Sequence, residues 1–187
     1  EMREEIARIQ KTTKVTTIFV THDQNEAMHI SDKIMLLSDG HIQQFDKPNN
    51  LYDKPANLFT AQFIGEPQIN IIKNEKSLAN FNTIFSEKIS SVGIRPDSIS
   101  LLKTKDTFSL PAKVSSYNKY GAEETTNFEL FDEDIIGINV DGITENNVNQ
   151  KVTLYVPISE IHGFNENDES VRATSNKKSS IKKEASK

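Results

Sequence analysis

The chain has 187 residues, which allows one or two domains. With 35% hydrophobic and 26% charged residues it suits two small cores and some non-globular chain better than one large core. A formal net charge of −5 argues against a general nucleic-acid binder. The absence of cysteine excludes disulfides, thiolate metal sites and cysteine nucleophiles.

Met2, Ile6 and Ile9 recur at helical spacing, with Glu4 and Arg8 one turn apart on the other side. This predicts an amphipathic helix with one apolar stripe. It is charged from its first residue, unlike a secretory leader. No apolar run approaches the roughly 18 residues that span a bilayer. The sequence opens inside this helix, on Glu1, as if cut from a longer protein. After a polar break at Lys11–Lys14 comes VTTIFV, Val15 to Val20. A short, non-alternating, β-branched run predicts a strand buried on both faces of a parallel sheet.

That strand would end at Thr21-His22-Asp23. Asp23 is a suitable N-cap for a second helix, and Glu26 three residues on completes a capping-box pattern. Next, Asp39-Gly40 separates two strand-like runs, a hairpin signal. Pro48 and Pro55 bracket a short segment, and Leu58 to Ile64 fits one more helix, ending at Gly65. Beyond Glu66-Pro67 helical patterns give way to alternation: Phe128 and Leu130; Ile136, Ile138 and Val140; Val152, Leu154 and Val156. Short alternating strands with turn signals predict a small antiparallel barrel or sandwich. From about Asn165 the chain turns polar, and TSNKKSSIKKEASK cannot bury enough to order itself. It reads as a solvated basic tail, with a membrane-surface or RNA contact as the alternative.

His22 is the leading candidate for chemistry. Functional groups of open α/β sheets collect at the carboxyl ends of parallel strands. An imidazole held there can donate a hydrogen bond to a phosphate oxygen. The competing reading is a polar residue that terminates a strand. Asp23 is better explained as a helix cap than as an acid. His29, His41 and His162 show no metal-ligand spacing with one another, and no metal is expected. There is no G-x-S-x-G elbow and no glycine-rich phosphate loop, so the chain has no phosphate cradle of its own.

The stretch from Thr16 to Asn70 resembles the end of an ABC ATPase domain. The switch segment of that family, T-H-D-Q-x-E-A-M, is matched at every fixed letter from Thr21 to Met28. The following D-K-I…L-x-x-G-x-I-x-Q…P-x-x-L-Y-x-x-P…F-x-A-x-F-I-G pattern runs from Asp32 to Gly65. VGIRPDSISL (Val92 to Leu101), YGAEETTNFEL and IHGFNENDES are similar to segments of the accessory TOBE, or OB-like, barrel of maltose-type importers. In the last of these Asn165 stands where aspartate is usual.

The resemblance implies an α/β fold class: the C-terminal piece of a P-loop NTPase (ABC ATPase) domain over residues 1–68, a small all-β OB-like (TOBE) barrel over 69–168, and a flexible tail over 169–187. His22 would be the switch histidine contacting the γ-phosphate, serving both catalysis and nucleotide binding. The implied cofactors are ATP and Mg, held mostly by Walker A, signature and Walker B motifs that precede the switch in this family. This chain alone is therefore expected to be inactive. The implied partners are a second ATPase subunit, in a homodimer or heterodimer, transmembrane permease subunits and, indirectly, an extracellular solute-binding protein. Nucleic acid is not among them. The implied location is the cytoplasmic face of the membrane, and the implied cargo a carbohydrate or glycerol phosphate. Two alternatives remain: a polyamine-type importer ATPase, and a truncated or split product acting only in dimerisation or regulation.

Overall fold

The computed structural model describes residues 2–173. The chain divides into two compact units, with the division between Gln68 and Ile69.

The first unit opens with helix α1 (Met2–Thr13), where Arg8 donates to both carboxylate oxygens of Glu5 at 2.9 and 2.6 Å. Helix α2 (Gln24–Ile30) follows, then strands β1 (Ile34–Ser38) and β2 (His41–Asp46), which pair antiparallel. The hairpin turns on Asp39 and Gly40, both at positive φ, which suits the right-handed strand twist. Helix α3 (Pro48–Asp53) begins on its proline, where the missing N–H costs no hydrogen bond. Helix α4 (Leu58–Phe63) is capped by Asn57, whose side chain accepts from the Thr60 amide at 2.8 Å. A small core gathers Leu36, Leu51 and Ile64, with Met28, Ile34 and Tyr52 against it.

Residues 15–20 do not form the expected buried strand. They belong to no strand, and Ile18 and Val20 are each 90% exposed. The reason is one of partners: among the described residues every strand pairing is antiparallel. A parallel strand needs neighbours on its edges and layers over both faces.

The second unit holds two four-stranded antiparallel sheets. One has the order β10-β9-β4-β3, from Ser170–Val171, Ile161–Phe164, Ser91–Ile94 and Asn70–Ile72. The other has the order β7-β6-β5-β8, from Glu133–Ile138, Glu123–Leu130, Thr107–Tyr120 and Lys151–Pro157. The fold is thus mixed α/β, and where a small antiparallel barrel or sandwich was expected the second unit forms two open sheets. Their edges are met by short contacts instead of by closure. Ser100 exchanges both backbone hydrogen bonds with Tyr155 on the outer side of β8, at 3.0 and 2.7 Å. On the outer side of β7, the buried Asn70 side chain accepts from the Ile136 amide at 2.7 Å and donates to the Ile136 carbonyl at 2.8 Å. Asn70 also donates to the Ile94 carbonyl at 3.1 Å, so one amide ties the two sheets together. Replacing Asn70 by leucine, of similar size, leaves those backbone groups without that partner. The expected loss is roughly 2–3 kcal/mol of unfolding free energy, read as a lower urea midpoint. An unchanged midpoint would show that water replaces the amide freely.

One core fills both sheets, with Ile72, Val92, Ile94, Leu110, Val114, Phe128, Leu130, Ile135, Leu154 and Val156 among its members. The alternation read in β6 and β8 places Phe128, Leu130, Leu154 and Val156 inside, all at 0% exposure. In β7 the phase is shifted. Ile135 faces inward opposite Phe128, while Ile136 and Ile138 are half-buried. The two-residue turn at Phe131-Asp132 sets this register, with both residues at positive φ. A shift of one residue moves every side chain to the other face. Helix α5 (Glu75–Phe81), which the alternation hid, starts from an Asn74 cap and buries Leu78 and Phe81. At the far end, β10 pairs with β9 and Ala173 bridges to Phe85, so regular structure continues past residue 168 into the stretch read as tail. The remainder of that stretch, residues 174–187, lies outside the described residues.

Candidate functional site

His22 sits in the connection between the exposed run of residues 15–20 and α2, and is itself exposed. The residues around it hold the loop. Asp23 caps α2 by accepting from the Glu26 amide at 3.0 Å. The expected capping box is present in relayed form: Thr21 stands between its two halves. The Asp23 amide donates to the Thr21 hydroxyl oxygen at 3.0 Å, and that hydroxyl donates to the Glu26 carboxylate at 2.9 Å. A direct box would run from the Asp23 amide to the carboxylate. The relay makes one closed chain from Thr21 to Asp23 to Glu26 and back.

Gln24, to which sequence reasoning gave no task, joins the loop to a distant element. Its side-chain oxygen accepts from the Gly65 amide at 3.0 Å, just past the end of α4. Gly65 is at positive φ, where a side chain would be strained. Spacing alone could not reveal this bond, because 41 residues separate the partners. Thr21, Asp23, Gln24 and Glu26 thus fold the loop, and His22 is carried on it.

Thr21→Val keeps the shape and removes the relay. It is expected to cost about 1 kcal/mol locally, which speeds hydrogen exchange at the Asp23 amide by roughly fivefold. Unaltered exchange there would mean that the relay contributes nothing to loop order.

The other histidines lie on separate elements. His29 on α2 donates from Nδ1 to the Asn25 carbonyl at 2.7 Å. His41 is exposed at the start of β2. His162 on β9 is only 8% exposed, and its Nε2 has no hydrogen-bond partner. Burial, with the nearby Arg95 charge adding to it, pushes its pKa down to about 4. No group of three His, Asp or Glu side chains suited to a metal occurs among the described residues. Among those residues no helix is long and apolar enough to cross a membrane.

Asn165 serves its position without a charge. Its side-chain oxygen accepts from the Asn167 and Glu169 amides at 2.9 and 3.0 Å, and its Nδ2 donates to the Glu169 carboxylate at 3.1 Å. An aspartate could accept both amides but would face Glu169 with like charge.

No family model matches the chain. Curated relatives do. A sn-glycerol-3-phosphate import ATP-binding protein of Brucella abortus is 32% identical over 172 residues, covering 88% of this chain and 49% of the relative. A xylose/arabinose import ATP-binding protein of Haloferax volcanii is 29% identical over 188 residues, with the same coverages of 88% and 49%. A putative ABC transporter ATP-binding protein of Mycoplasma genitalium is 34% identical over 142 residues, covering 71% of this chain and 24% of the relative. The chain spans about half the length of the first two of these relatives. With this similarity along most of its length, the chain belongs to the family of ATP-binding proteins of ABC importers.

Proposed function

We propose that this chain is the switch-bearing and regulatory part of an ABC importer's ATP-binding subunit, and that His22 contacts the γ-phosphate of ATP. The observation that carries this reading is the division of labour in Thr21–Glu26. Four polar side chains are engaged in shaping the loop, and the exposed imidazole is what the loop presents. A side chain placed this way can donate one hydrogen bond to a phosphate oxygen. Phosphoryl transfer to water depends chiefly on positioning and electrostatic stabilisation.

The residues present fit one contact of an ATP site and not the whole of it. The sequence has no phosphate loop, so ATP and Mg would be held mainly by residues outside this chain. Alone, the chain is expected to give no ATP turnover above background. Purified chain that hydrolyses ATP, with the activity abolished by His22→Ala, would overturn this.

In this reading residues 1–68 complete an ATPase domain, and residues 69–168 form the regulatory domain of TOBE, or OB-like, type. The GIRPD segment spans β4 and the short 3-10 turn Pro96–Ser98, and the YGAEE segment forms the β5–β6 turn. Such a subunit pairs with a second ATPase subunit and with membrane permease subunits, as a peripheral protein on the cytoplasmic face. The names of the relatives favour glycerol phosphate or a sugar as cargo. The decisive experiment is substitution of His22 in a full-length subunit.

A further inference from the structure

Within the loop that carries His22, the side chains of Thr21, Asp23 and Glu26 bond locally, whereas Gln24 reaches a residue 41 positions away. Its partner is the Gly65 amide, 3.0 Å from the Gln24 side-chain oxygen. Helix α4 ends just before that amide. Ile64 is its C-cap, and the Ile64 amide closes the last turn on the Thr60 carbonyl at 3.0 Å. The next amide needs an acceptor of its own. With a φ of 113°, Gly65 turns the chain away from α4 and presents its N–H to Gln24. Gln24 and Met28 stand one turn apart on the same side of α2. Met28 packs against the cluster that includes Ile64. Helix α2 thus holds the end of α4 by a hydrogen bond and by apolar packing.

Beyond Gly65 the chain passes into the second unit, which begins at Ile69. Asn70 follows, and its side chain engages both sheets of that unit through Ile94 and Ile136. The five-residue step from Gly65 to Asn70 spans at most about 18 Å. Little slack separates the residue tied to the switch loop from the residue tied to both sheets.

We infer that Gln24 is a positioning residue for His22, and that it passes the state of the second unit to the switch loop through Gly65. The inference rests on the proposed ATPase reading. His22 lies two residues before Gln24, on the other side of the Asp23 cap. A shift of Gly65 therefore tilts the first turn of α2 and moves the imidazole. The bond uses the oxygen of the Gln24 amide. A glutamate carboxylate can accept in its place and suits the first turn of a helix. A methionine of similar length accepts only weakly.

Two measurements test this. The first is backbone hydrogen exchange on the chain without nucleotide. Gln24→Met should speed exchange at the Gly65 and Asp23 amides by about fivefold, the size of one lost hydrogen bond. Gln24→Glu should leave both near their natural rates. Asn70→Leu, a change in the second unit, should speed the Asp23 amide by about threefold, and by nothing further once Gln24→Met is present. An Asp23 amide indifferent to Asn70→Leu overturns the coupling. The second measurement is ATP turnover of a full-length subunit containing this chain. Gln24→Met should lower kcat by roughly tenfold with KM unchanged, since small misplacements of a reacting group cost this much or more. Gln24→Glu should restore it. In a His22→Ala background Gln24→Met should cost less than about twofold, because the two act as one unit. Loss of turnover in His22→Ala with none in Gln24→Met overturns the positioning role. Unchanged turnover in His22→Ala would overturn the reading of His22 itself, while the exchange rates would still decide whether the second unit acts on the loop.

Discussion

In a full-length subunit containing this chain, His22→Ala is expected to lower ATP turnover by roughly 10²–10³-fold, the usual loss when one transition-state hydrogen-bond donor is removed. Stability should scarcely move. None of the bonds that fold the loop involves the imidazole: the cap runs from the Glu26 amide to Asp23, and the relay runs through the Thr21 hydroxyl. Substitutions at exposed positions free of such features stay within about 0.5 kcal/mol. Activity and stability therefore separate at this residue. The same argument predicts the reverse at Thr21, where valine should loosen the loop and lower turnover only as far as the loop wanders. The measurement is steady-state ATP hydrolysis with a parallel urea titration. A loss confined to kcat marks a contact made chiefly in the transition state. His22→Gln, which keeps a donor at shorter reach, should recover part of the loss. Turnover unchanged in His22→Ala would sink the switch assignment.

How much of this was legible beforehand varies with the range of the forces involved. Local chemistry was readable. The Asp23 cap, the Asp39-Gly40 turn and the apolar phase of β6 and β8 each depend on residues within a few positions of one another. What failed depended on distant partners or on a turn without its usual residues. Phe131-Asp132 makes a two-residue hairpin with both φ values positive, in a place where Asn-Gly would have announced it. Without that signal, Ile136 and Ile138 looked like the inward set, and the Phe128–Ile135 pairing could not be foreseen. Helix α5 was hidden because seven residues carry too little periodicity to stand out. The Gln24–Gly65 bond and the Asn70 tie between sheets join residues 41 and 24 to 66 positions apart. Val15–Val20 taught the opposite lesson. Its composition describes the surroundings it would need as a strand, and those surroundings are not among the described residues.

Acid should weaken the second unit through His162. The residue sits on β9 directly across from Gly93 of β4, and Arg95 follows β4 immediately. At 8% exposure, without a partner for Nε2 and with a guanidinium nearby, the imidazolium form is doubly disfavoured. Its pKa is pushed from 6.5 down to about 4 in the folded chain. Between those two values the unfolded chain takes up a proton that the folded chain refuses. Stability contributed by the neutral ring is therefore complete above pH 6.5 and is lost as the pH falls toward 4. At about 1.36 kcal/mol per pH unit, the loss across that window is roughly 3 kcal/mol. Carboxylates also titrate toward the lower end, so the informative quantity is a difference of differences. Urea midpoints at pH 7 and pH 4.5 are compared between the natural chain and His162→Gln, with His162→Phe as a second variant that keeps an aromatic ring. Both variants should lose most of the pH sensitivity, whatever they cost at pH 7. Equal pH dependence in all three proteins would mean that His162 is hydrated enough to protonate in place, and that the strain between it and Arg95 is relieved without unfolding.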